Sequence, residues 1–442
     1  MRRLLLFFAF LAAFWLSPRT SAAGEPEIEI DLLVMGPGDH LYTRGGHAAV
    51  MVAEIDEGEL VRSTVYNYGD TDWDDPMLVP HFLRGDLTFF LSDTGSIEST
   101  LQEYGVRQGR EISRLRLHLT RDQAADVARR LREGIEPGKR EYTFHHVHAL
   151  CSTRIMDLLD DVLGGRLRVE LQGRPGPDTG RRYQERIFSD SLLATIGGDL
   201  FIGRLHDRVL DRWESTASPA HMAEYLQSIY VPLHPGSTEM VPLAEPPVLL
   251  VARKTPLVPE KSWASHVLWG ALIALLIGAS ASALRQARSA NGGPKSEPRK
   301  AGEARALAAK IVLWSAAISG VIGVVLLGFL TLSRVPEFRQ NELILVFWPT
   351  DLWLAWQARR WMKGASLPSA FASTYATARL AVAGLAVIGH AAGLLVQEPR
   401  IVLALGVVEA AALFTMIRAL RSTAAAAEKP AIVLTSTPAK AR

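Results

Sequence analysis

"ALCSTRIMDLLDDVLGG", residues 149–165, holds the only cysteine of a 442-residue chain. Ile155, Leu158 and Val162 follow Cys151 at four, seven and eleven positions, one face of a helix that Gly164-Gly165 closes. Cys151 therefore stands in the first turn, on the side turned toward the body of the domain. There the unpaired N–H groups and the helix dipole favour a thiolate and can hold an oxyanion. A small buried core thiol is the plain alternative.

A nucleophilic thiol needs a base within hydrogen-bond reach and a third group that fixes the imidazole. "GPGDHLYTRGGHAAVMV", residues 36–52, offers His47 at the head of an apolar strand, with His40 in the preceding loop as the less favoured base. Tyr66, Asn67 and Tyr68 lie on the next strand, and Asn67 suits the orienting role best by side-chain type.

The surrounding pattern is α+β. Strands are expected over 28–35, 47–53, 61–68, 87–92 and 112–119, and a helix from the Thr120/Gln123 capping box to Glu133. Alternation with Leu117 and Leu119 turns His118 toward solvent.

Hydrophobicity is uneven along the chain. Residues 1–23 read as a signal peptide or an uncleaved anchor, since Leu4–Leu16 is short for a span of about 20 apolar residues. An extracytoplasmic domain is expected over 24–262. A membrane domain follows over 263–421, with five spans at 263–284, 311–332, 343–358, 380–396 and 401–417, the last two a tight hairpin. Residues 291–294 read as a flexible loop and 422–442 as a disordered cytoplasmic tail. Basic residues gather after the first and third spans, so those connections face the cytoplasm and the N-terminal domain lies outside it, a multi-pass inner-membrane topology. With 48 Lys and Arg against 46 Asp and Glu, the charge balance gives no sign of a nucleic-acid partner. An exported chain with one cysteine has no internal disulfide, which leaves Cys151 inert, intermolecular or reactive.

The segments "GPGD…GGHAAV", "VYNYGD", "HFLRGDLTFFLS" and "LCSTRIMDLL" resemble the N-terminal domain of the Lnb-type lipoprotein N-acyltransferases over about residues 27–235. That family looks like a circularly permuted papain-like branch of the NlpC superfamily. The resemblance implies that Cys151 takes an acyl chain from a phospholipid as a thioester and passes it to the amino terminus of a lipoprotein, with His47 as base. It calls for no cofactor and no metal. The family's Asn before the cysteine is Leu150 here, so any role of that amide is missing or supplied elsewhere.

Three rival readings carry different consequences. A papain-like cell-wall peptidase or amidase would use the same Cys and His, but no wall-binding module is visible. A metal module could use His145, His146 and His148, although no acidic or thiol cluster stands near them in sequence. A membrane scaffold would need neither Cys151 nor His47. Other polar residues have ordinary explanations: Arg154–Asp157 a helix salt bridge, and Asp70, Asp72, Asp74 and Asp75 around Trp73 a solvated turn without EF-hand spacing. In "NELILVFWPTDLWLAWQ", residues 341–357, Asn341, Pro349 and Asp351 mark a kinked span whose acid is either functional or paired with a neighbour. His390 reads as a packing or hydrogen-bonding residue rather than a catalyst.

Overall fold

A computed structural model of the chain describes residues 26–254, 263–291 and 298–427. The signal segment, most of the 291–294 connection and the tail from 428 onward lie outside the described residues. Strands β1 (Glu27–Met35), β2 (His47–Asp56), β3 (Glu59–Asp70), β4 (Thr88–Asp93), β5 (Ile112–Arg116), β6 (Glu141–Thr143) and β7 (Val248–Val251) form one antiparallel sheet. Their order is β7-β5-β1-β2-β3-β4-β6. Positive φ at both Glu57 (51°) and Gly58 (85°) gives β2 and β3 the tight turn whose twist matches a hairpin.

The N-terminal part also contains helices α1 (Leu78–Arg84), α2 (Arg121–Gly134), α3 (Cys151–Val162), α4 (Gly180–Ile187), α5 (Leu192–Phe201) and α6 (Pro219–Ser228), besides shorter helices and two small two-stranded sheets. The period of two along β1 and β2 splits them between two cores. Ile30, Leu32, Ala48 and Val50 pack with Val127 and Leu131 of α2, Ile155 and Leu159 of α3, and Met222 and Leu226 of α6. Leu33, Met35, Ala49 and Met51 pack on the other face with Ile97, Leu101 and Tyr104. With both faces covered, β2 has to be apolar throughout, and "AAVMVA" is.

The five expected strands form, and the Thr120/Gln123 capping box is present. The fifth ends early, at Arg116, because Leu117 bridges to Ala244 instead. His118 keeps a partly solvent-exposed ring, 29% exposed beside Glu245. Its side chain is part-buried, with Nδ1 2.6 Å from the Pro242 carbonyl oxygen.

The C-terminal half contains α7 (Ala264–Asn291), α8 (Pro298–Leu332), α9 (Asp351–Met362), α10 (Ala370–Ala391) and α11 (Arg400–Ala427). Four of these, α7, α8, α10 and α11, are long and apolar enough to cross a membrane. The third expected span, 343–358, is not one helix. It comprises the 3-10 turn Glu342–Leu345, an irregular stretch through Pro349 and the 12-residue α9. Pro349 cannot sit inside a continuous helix, and glycines on α8 let the bent backbone come close. A Cβ on Gly323 would lie 2.5 Å from the Pro349 nitrogen, and one on Gly320 2.7 Å from that of Leu352. Helix α11 also runs on to Ala427, so the expected disordered tail is helical over its first residues.

Asp351, itself fully buried, heads α9 inside a polar network. Its carboxylate accepts hydrogen bonds from Arg379 at 2.8 and 3.1 Å, Ser319 at 2.5 Å and Tyr375 at 2.6 Å, and Arg379 also donates to Glu409 at 2.9 Å. Asp351 is thus paired with neighbouring helices, one of the two alternatives open from sequence.

The two halves are joined by main-chain hydrogen bonds. Gly203 N–H donates to Glu337 O at 2.7 Å, Arg204 N–H to Gln340 O at 2.9 Å and Arg334 N–H to Arg84 O at 2.8 Å. A Cβ on Gly203 would fall 2.1 Å from the Gln340 oxygen, so only glycine permits this seam.

Replacing Arg379 with Leu leaves two carboxylates buried beside each other without their cation, a loss of about 3–5 kcal/mol. The expected outcome is a clear fall in the thermal midpoint of the purified protein in detergent. An unchanged midpoint would mean that the network contributes nothing.

Candidate active site

Gly46 leads into β2 with φ +85°, a conformation that aims the next residue off the loop. That residue is His47. Its Nε2 lies 2.6 Å from Asn67 Oδ1, while the Asn67 amide nitrogen donates to the Tyr104 hydroxyl at 3.4 Å. With the amide oriented in this way, Nε2 carries the imidazole proton and Nδ1 is left as the acceptor. Tyr104 stacks on the ring at a centroid distance of 5.6 Å. Gly69 makes room on the other side, where a Cβ would lie 2.6 Å from His47 Cε1.

Cys151 is the first residue of α3, as its spacing predicts, and is 8% exposed. Its sulfur is near the N–H of Ala48, the residue next to His47, and near the N–H groups of Ser152 and Cys151 itself, all of which favour the thiolate. The Leu150 N-cap has no side chain to offer, and Thr153 Oγ1 accepts the Leu150 N–H at 2.9 Å in its place.

The electrostatics differ from the sequence expectation in one respect. A helix N-terminus favours thiolate, yet burial outweighs it and raises the Cys151 thiol above its usual 9.0, against the opposing N–H groups and Arg110. Burial, helped by Arg110 and opposed by the Asn67 bond, lowers His47 from 6.5 to about 4. The resting pair is a neutral thiol and a neutral imidazole.

Arg110 and Tyr104 were not marked by the sequence. Arg110 is 2% exposed, donates to Gly36 O at 2.8 Å and Met35 O at 3.4 Å, and sits 5.3 Å from the Tyr104 ring centre. Among the described residues no carboxylate pairs with it. "RQGRE" reads as a polar turn, and nothing in it signals that its second arginine is interior.

Other candidates fall outside this group. His40 stacks on Tyr42 in the exposed loop. Arg154 and Asp157 are 3.5 Å apart, the expected helix pair, and Arg154 also lies over Tyr142 at 5.4 Å. His390 stands 3.7 Å from Glu342. The histidine cluster does have an acid, contrary to the sequence reading, because Glu337 arrives from the membrane half. His145, His148 and Glu337 bring ligand-type atoms within 4.8 Å of one another. His145 Nδ1 accepts the N–H groups of Val147 and His148 at 3.2 and 3.3 Å, so its ring proton sits on Nε2, 3.5 Å from Glu337 Oε2. That arrangement is a contact between the two halves and leaves His145 no lone pair for a metal. A surface cleft between Val34, Leu115, Ala223 and Pro247 contains none of the Cys, His or Asn groups.

A neutral pair makes a pH prediction. Alkylation of Cys151 by iodoacetamide is expected to stay slow across neutral pH and to climb only above about pH 9. Any reaction that needs His47 as base is expected to fail only as pH drops through about 4, where the imidazole takes its proton. A thiolate–imidazolium pair would instead give fast alkylation at pH 5 to 6, roughly flat up to neutrality.

Residues 22–185 match the family model for the Lnb N-terminal periplasmic domain, a range that contains His47, Asn67 and Cys151. Comparisons with curated proteins and with solved structures give no match. Over residues 22–185 the chain is therefore similar to the Lnb N-terminal periplasmic domain, and its described residues also include four helices long and apolar enough to cross a membrane.

Proposed function

We propose that the protein is a Cys/His acyltransferase of the inner membrane, moving a fatty acyl chain from phospholipid to the amino terminus of a lipoprotein. The observation that supports this reading is that the Cys151 sulfur lies beside the Ala48 N–H, next in the chain to the His47 that pairs with Asn67, in a domain hydrogen-bonded to the apolar helices.

In the first half-reaction His47 Nδ1 takes the thiol proton as the sulfur attacks the ester carbonyl. The carbon–oxygen bond then breaks, and His47 returns the proton to the leaving glycerol oxygen. In the second, the amine attacks the thioester, the carbon–sulfur bond breaks and the amine proton passes through His47 to the sulfur. The N–H groups at the start of α3 are suitably placed for the oxyanion. A thioester suits this task because it is activated toward amines, and tethering confines both amphiphilic substrates and the enzyme to one surface.

The same proposal covers the layout. Residues 24–262 form the catalytic domain, of a permuted papain-like type in which the histidine strand precedes the cysteine helix. Residues 263–421 form the membrane domain, which crosses five times if the broken segment before and including α9 returns the chain to the cytoplasm, in agreement with its basic C-terminal end at Arg359 and Arg360.

The test is intact mass of the full chain after incubation in phospholipid vesicles with a diacylated lipopeptide. A hydroxylamine-labile acyl adduct is expected on wild type and absent from Cys151→Ala. His47→Ala should slow its formation by about 10²–10⁴-fold. Absence of the adduct together with release of wall-peptide fragments would overturn the reading in favour of a peptidase.

A further inference from the structure

The motif "HFLRGDLTFFLS" supplies Phe82 and Phe89, which take no part in the catalytic group. They belong to a continuous row of rings. It starts in the last turns of α8, where Phe329 lies 5.4 Å from Phe338, and Phe338 lies 5.8 Å from Phe82. Phe82 is 6.0 Å from Phe144, and Phe144 is 4.6 Å from Phe89.

At Phe89 the row divides. One arm reaches Trp73 at 5.9 Å and then Tyr42 at 4.5 Å, in the loop that leads to His47. The other reaches Tyr142 at 6.2 Å, whose hydroxyl donates to the Tyr68 carbonyl at 2.8 Å, one residue before the Gly69 that packs on His47. The two ends of the row are thus an apolar membrane helix and the surroundings of the Cys/His pair.

Phe82, Phe89 and Phe144 are only half-buried, and Trp73 and Tyr42 are 44% and 60% exposed. Met77 and Val79, at the start of α1, are also exposed, at 48% and 57%. The other end of α1 is bonded to the chain leaving α8, with Ser333 Oγ donating to Leu83 O at 2.7 Å. Apolar surface open to water is costly unless something covers it. Here the surface is continuous with a span, and the apolar phase nearest to it is the bilayer itself.

We propose that this aromatic row is the binding track for the acyl chain of a membrane lipid, leading from the end of α8 to Cys151. The track deepens the acyltransferase reading and rests on it for its purpose. Flat rings fit this use because they offer a methylene chain large contact area with little side-chain entropy to lose, and with no pocket of fixed length.

The experiment uses the full chain in vesicles containing a phosphatidylethanolamine with a diazirine in its acyl chain. In the Cys151→Ala variant, which cannot form a thioester, photolysis is expected to label peptides covering Phe82–Phe89 and Tyr142–Phe144 as well as the membrane helices. Labelling restricted to the membrane helices would overturn the proposal. In the otherwise wild-type chain, Trp73→Ala and Phe89→Ala are expected to lower the rate of Cys151 acylation by long-chain phospholipid about tenfold each, the loss of one or two buried methylene contacts. Their iodoacetamide reactivity at Cys151 should stay unchanged, which separates the track from misfolding. Unchanged acylation rates in both variants would also overturn the track. A wild-type chain that forms no adduct defeats the acyltransferase reading instead, and the photolabelling still decides whether lipid occupies the row.

Discussion

The 2.6 Å contact between His47 Nε2 and Asn67 Oδ1 decides which nitrogen of the ring carries hydrogen. Everything at the candidate site follows from that choice. If the amide faced the other way, its N–H₂ would oppose the imidazole N–H, and the free lone pair would no longer be on Nδ1. The Tyr104 hydroxyl helps to hold the amide in place by accepting from its nitrogen. The register of β2 on β3 is therefore chemically consequential. Slipping it by one residue would put Tyr66 or Tyr68 where Asn67 now stands.

Much of this was legible in the sequence, for identifiable reasons. Cys151, His47 and Asn67 announce themselves by residue type, by position at the start of an element and by apolar periodicity that fixes the element. Arg110 and Tyr104 do not, because their importance comes from packing between segments far apart in the chain. The same blindness applies to Glu337, whose approach to His145 depends on how the halves dock. The thiol's raised pKa also escaped sequence reasoning. A helix terminus is visible in a sequence, whereas the depth to which it is buried is a property of the assembled fold.

The membrane half shows the limit of hydropathy. Residues 343–358 have the composition of a span, but Pro349 breaks the helix and Asp351 draws the chain toward Arg379. Irregular backbone at such a place is tolerable only against protein, and the small residues Gly320 and Gly323 provide that close wall. A count based on apolar length alone sees the segment and misses its shape.

The seam at Gly203 fixes more than orientation. Because main-chain groups on both sides are bonded to each other, the N-terminal domain does not hang from a tether and has no freedom to rise or swing toward a distant target. It is held at one height relative to the apolar helices. Under the acyl-transfer reading proposed above, reach then becomes the acceptor's problem, and a polypeptide whose first residue cannot descend to that height would be excluded without any contact that reads its side chains.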